Sequence, residues 1–63
     1  MFVRINLVDG DTTYVNVNNI SNVWMEFNGA RKGFYYHIKM NNANIFVTDE
    51  KGYCEVLSAY DAN

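Results

Sequence analysis

Among its 63 residues the chain has no proline, one cysteine (Cys54), one histidine (His37) and one tryptophan (Trp24). A lone cysteine excludes an internal disulfide, and one cysteine with one histidine cannot fill the ligand positions of a structural zinc site. Both of the usual staples of very small domains are thereby missing. A chain of this length buries only about 60% of the surface it exposes when unfolded, so self-association is the remaining route to a larger core. No charged segment followed by an apolar run opens the sequence, and no apolar stretch approaches the roughly 18 residues of a membrane span. The expectation is a single domain, residues 1–63, in a cytoplasmic protein with no membrane contact.

Glycine is scarce as well. Gly10, Gly29, Gly33 and Gly52 form no spacing that would cradle a phosphate, so no nucleotide cofactor or small-molecule substrate is indicated. His37 has no second histidine, no Ser-His-Asp set and no paired carboxylates for company, and an enzyme is not expected. Cys54 reads as a small packing residue. Basic charge is also short: 5 Lys and Arg stand against 7 Asp and Glu, a net charge of −2, where a nucleic-acid binder usually carries a basic excess. The distribution is uneven. Residues 27–48 contain no acid and hold Arg31, Lys32 and Lys39, whereas Asp49, Glu50, Glu55 and Asp61 are set against Lys51 alone. Such asymmetry can steer a partner or pair one subunit with the next.

What the chain has in plenty is asparagine, at positions 6, 16, 18, 19, 22, 28, 41, 42, 44 and 63. Asparagine tolerates left-handed backbone and folds a turn onto its own side chain, so these positions punctuate the chain as proline does elsewhere. The bias resembles that of A+T-rich genomes, many phages among them.

Between these punctuation marks the apolar residues alternate. Val3, Ile5 and Leu7 oppose Phe2, Arg4 and Asn6, the period of a half-buried strand, and Asp9-Gly10 signals a hairpin. A second strand over 12–17 sends Thr13, Val15 and Val17 inward, with Tyr14 and Asn16 outward. Ile20 pins a turn at 18–22, and a third strand covers 23–27. If Val23, Met25 and Phe27 face the core, Trp24 and Glu26 lie outside; the opposite register is equally compatible with five mostly apolar residues. A fourth strand over 34–40 puts Phe34, Tyr36, Ile38 and Met40 in the core and Tyr35, His37 and Lys39 on the other face. Residues 44–48 form a fifth strand. Beyond Thr48 the period changes: Tyr53, Val56, Leu57 and Tyr60 recur at helical spacing over 50–60, capped by Thr48 or Asp49. Gly52 weakens that helix by up to roughly 1 kcal/mol relative to Ala. The fold expected is α+β, a small β-rich domain of about five antiparallel strands in a meander or small barrel with one C-terminal helix.

Two constellations could carry function. Arg31, Lys32, Tyr35, His37 and Lys39 would place an aromatic and cations on one strand face, able to stack a base and neutralise phosphates; the same residues also suit an ordinary solvated strand. Trp24, Tyr14, Phe2 and Phe46 are apolar or aromatic residues on supposed outer faces, in excess of what a lone domain of this size comfortably exposes. They point to a protein partner or to self-association.

"KGFYYHIK" at 32–39 resembles the first ribonucleoprotein motif of RNA-recognition domains, with Lys32, Gly33, Phe34 and Tyr36 matching and Tyr35 and His37 departing from it. No residue roles are carried over from that likeness. "INLVDG" at 5–10 and "MNNANIFVTDEKGYCEVL" at 40–57 resemble the small flagellar-associated proteins of the FlbD type. That resemblance implies a compact β-rich fold with a terminal helix and no substrate. The function expected is a non-enzymatic interaction module acting as a homo-oligomer, of the kind a phage uses as a small regulator or inhibitor of a host protein. Single-stranded RNA or DNA binding through residues 31–39 is the alternative.

Overall fold

The computed structural model describes residues 1–62; Asn63 lies outside them. In chain order the elements are β1 (Phe2–Asn6), β2 (Thr12–Asn16), a single 3-10 turn (Val17–Asn19), β3 (Ile20–Asn28), β4 (Gly33–Met40), β5 (Ile45–Thr48) and α1 (Glu50–Ala62). Five strands in two antiparallel sheets, β1-β2 and β3-β4-β5, and one C-terminal helix make this a small α+β domain. β2 and β3 are not paired with each other. The 3-10 turn between them stands where a continuous meander would need a hairpin. No helix among the described residues is long and apolar enough to cross a membrane.

Each connection is built on an Asn or Asp side chain that accepts a backbone N–H, as the asparagine bias leads one to expect. Asp9 takes the N–H of Asp11 between β1 and β2, and Asn16 that of Asn18 in the 3-10 turn. Asn28 takes the N–H of Arg31 in the β3–β4 turn, and Asn42 that of Asn44 in the β4–β5 turn. Asp49 accepts from Gly52 at 2.7 Å and is the N-cap of α1. Gly10, at φ 99°, supplies the left-handed residue of the first turn.

The two sheets are stitched where Leu7 bridges Thr48 and the Val8 N–H donates to the Val47 carbonyl at 3.0 Å. Thr48 is fully buried there, its hydroxyl donating to the Asn6 carbonyl at 2.6 Å. Ile5, Val15, Val17, Ile20, Ile38, Met40 and Val56 form the core this closure creates. α1 seals it, and Gly52 is the point of closest approach: a Cβ there would collide with Thr48 Oγ1 and press on Ile5. The helix therefore turns Gly52, Val56 and Ala59 inward, so that Tyr60 and Cys54 are exposed. That corrects two expectations, Cys54 as a packing residue and Tyr60 as part of the buried stripe. Small residues let the helix sit close, and closeness decided which side faced in.

The largest departure lies in the β3–β4 hairpin. Its strands span nine and eight residues, against five, five and four for the others, and it projects past the core of a molecule measuring 34 × 21 × 21 Å. Phe34, expected in the core, is exposed, as are Met25 and Phe27. Phe34 lies on the inner face, as the alternation predicts, and Met25 and Phe27 share it, which settles the register that the third strand left open; no element among the described residues covers that face at its far end.

Candidate functional site

On the inner face of the hairpin, Val23 is paired with Ile38, Met25 with Tyr36 and Phe27 with Phe34. Only the first pair reaches the core. Beyond it the rings of Phe27 and Phe34 meet edge to face at 5.5 Å, Phe34 lies 6.4 Å from Tyr36, and Tyr36 lies 5.0 Å from Tyr53 of α1. Met25, Phe27 and Phe34 remain 48%, 64% and 42% exposed beside this file of rings. Tyr36 marks the border between covered and uncovered surface. Loss of solvent raises its phenol pKa above the ordinary value, and the Glu50 carboxylate adds to the effect.

The outer face of the same sheet carries Trp24 opposite His37, and His37 opposite Val47. Trp24 and His37 stack with centroids 4.9 Å apart and planes 4° from parallel. The indole leaves the His37 side chain 15% exposed; its Nε2 lies 3.9 Å from a Glu26 carboxylate oxygen, and its buried Nδ1 has no hydrogen-bond partner among the described residues. Tyr35 is opposite Glu26, Lys39 is opposite Asn22, and the Arg31 guanidinium lies over the Tyr35 ring at 4.9 Å. Lys32, with φ 58°, sits beside Arg31 in the turn. The structure thus brings Tyr35, His37 and Lys39 onto one face with Trp24, and Arg31 reaches across to it. One ring face each of Trp24, His37 and Tyr35 is already occupied, and Glu26 adds negative charge in their midst. Phe34 and Tyr36, the aromatics that match the ribonucleoprotein motif, face the other way.

Phe2, Tyr14 and Phe46 meet in a different place, an open groove of about 530 Å³ that they line with Met40 and several asparagines. Phe2 and Tyr14 are exposed, whereas Phe46, opposite Ile38, is half-buried and packs against the core. Trp24 lies apart from them on the outer face of the sheet. Sequence reasoning did not find Met25, Phe27 and Phe34 as exposed surface, because alternation assigns a side and not a depth. The available signal was the "NGARKG" turn, which extends an apolar hairpin past the reach of its neighbours.

No family model matches the chain, and neither a curated protein nor a solved structure was found similar to it.

Proposed function

We propose that the protein is a non-enzymatic protein-interaction module that acts in the cytoplasm as a homo-oligomer and docks through the inner face of its hairpin tip. The observation that carries this reading is the contiguous exposure of Met25, Phe27 and Phe34 at the end of a file of aromatic rings. Single exposed hydrophobes need no explanation, whereas a continuous apolar patch on a projecting element marks an interaction surface. The phage-like composition suits a small regulator or inhibitor of a host protein, and the FlbD-type likeness, which implies no substrate, agrees with a non-enzymatic role. Sedimentation velocity over a range of concentrations tests the docking face. The wild-type chain is expected to associate and the double variant Phe27→Ser/Phe34→Ser to remain monomeric with an unchanged circular-dichroism spectrum. Association that persists in the variant would remove the assignment to this face.

A second reading, single-stranded RNA or DNA on the outer face, is favoured by the gathering of Arg31, Tyr35, His37 and Lys39 around Trp24. Fluorescence anisotropy with labelled oligonucleotides would then show binding that salt weakens and that Arg31→Ala/Lys32→Ala reduces. Binding indifferent to salt, or none at low salt, counts against it.

A further inference from the structure

β3 is the outermost strand of the three-stranded sheet, paired with β4 on one side only. At nine residues it is also the longest strand of the fold, and alternate backbone N–H and C=O groups along it point away from β4. Proteins usually blunt such an edge with proline, lysine, a bulge or a covering loop. β3 has neither proline nor lysine, its one irregularity lies at Ile20/Asn22, and Glu26 is its single charge. The pairing with β4 is regular from Val23 to Asn28, alongside the apolar tip, and along this stretch the Val23 N–H donates to the Asn22 side chain at 3.0 Å, a bond that pairing with another strand would exchange for a main-chain one.

We propose that this edge pairs with the same edge of a second copy, antiparallel about a two-fold axis through Met25, so that two three-stranded sheets join into one of six. The proposal rests on the hairpin tip as the docking element and names its occupant. Three constraints select the register. Residues that face one another across a continuous sheet must share a face, which limits the choice to steps of two. An axis at Glu26 would set two carboxylates directly opposite, an unfavourable pairing. An axis at Trp24 would run Phe27 against Ser21, at the irregular start of the strand. With Met25 on the axis, Trp24 faces the other copy's Glu26, and Val23 faces its Phe27. The inner-face residues Val23, Met25 and Phe27 of both copies then form one unbroken apolar strip. Beside Val23 there is already a small hollow of about 160 Å³, bounded by Ile20, Val23 and Tyr60, on the side where the second copy's Phe27 arrives. The arrangement is isologous, each copy offering the same knob and the same hollow, while main-chain hydrogen bonds along the edge provide the affinity.

Cysteine cross-linking reads the register directly, because directly opposed Cβ atoms in an antiparallel pair lie within disulfide reach. In a Cys54→Ser background, which removes the native exposed thiol, Met25→Cys is expected to convert to a disulfide-linked dimer under mild oxidation. Glu26→Cys and Phe34→Cys are expected to stay monomeric on a non-reducing gel. All three side chains are exposed, so the variants retain the fold. Cross-linking through Glu26→Cys instead of Met25→Cys would overturn the register. No cross-link at either position, with association still lost in Phe27→Ser/Phe34→Ser, would overturn edge pairing and leave the docking face intact. A wild-type chain monomeric at every concentration would overturn the second copy as occupant.

Discussion

The β3–β4 hairpin carries one apolar stripe with two outcomes. At its root, Val23 and Ile38 share a cross-strand pair, and Ile38 is 0% exposed in the core it forms with Ile5 of β1, Val15 of β2 and Val56 of α1. At its tip, Phe27 and Phe34 form an equivalent pair on the same face and stand open to solvent. Alternation, side-chain type and sheet partner are alike at the two ends. What differs is the element opposite. β5 pairs with β4 only from Tyr36 to Lys39, and the aromatic reach of α1 ends at Tyr53 against Tyr36. Period-two patterning chooses a face, but burial needs something to bury against.

The sharpest way to break this comparison is to delete the same kind of mass at each end. Ile38→Ala empties a sealed site and should cost about 2–5 kcal/mol, a large fraction of the total stability of so short a chain. Phe34→Ala removes a larger side chain, yet one with only ring-edge contacts, and should cost about 1 kcal/mol or less. Urea melts of dilute protein measure both. Equal costs would mean that the tip is packed in solution, and a cost at Phe34 that grows with protein concentration would locate the packing between copies.

Next in size is Gly52→Ala. Helix propensity alone favours Ala by about 1 kcal/mol, but the new methyl would strike Thr48 Oγ1, whose bond to Asn6 holds the two sheets together. Overpacking of this kind should outweigh the gain and leave a net loss of about 1–3 kcal/mol. A stabilised variant would show that α1 can lift off the root without penalty, weakening the claim that its close seat is what separates root from tip.

Much of this arrangement was legible beforehand. The five strands, the turns resting on Asn or Asp side chains, a helix cap at Thr48 or Asp49 and the inward sides of Ile5, Val15 and Ile38 all follow from local chemistry that acts over a few residues. Three features did not follow. The facing of Trp24 depended on an irregularity at Ile20/Asn22, which sequence does not mark. The rotation of α1 was set by Gly52 and Ala59, whereas periodicity weighs large residues and so favoured Tyr60. The candidate interface was read from residues on outer faces, Trp24, Tyr14, Phe2 and Phe46; the exposure of Met25, Phe27 and Phe34 on the inner face went unread, because depth there depends on the lengths of elements distant in the chain.

Tyr36 sits on the boundary itself, and its titration offers the gentlest test of where cover ends. Burial first, then the Glu50 carboxylate, hold its phenol above the ordinary value of 10.0. In the unfolded chain the group ionises near that ordinary value, while the folded protein still keeps its proton. The unfolded state therefore binds fewer protons over this interval, and stability must fall as pH rises. The contribution is fully present below the unfolded pKa and is lost as pH climbs through the raised folded one. Melting temperatures of the wild type should accordingly drop more steeply above pH 10.0 than those of Tyr36→Phe, which keeps the ring and removes the proton. If a second copy covers the tip, the boundary moves outward and Tyr36 becomes more deeply enclosed. The alkaline loss should then still begin near the ordinary phenol value but be larger and run to higher pH in concentrated than in dilute protein, whereas a tip that stays bare would show one profile at every concentration.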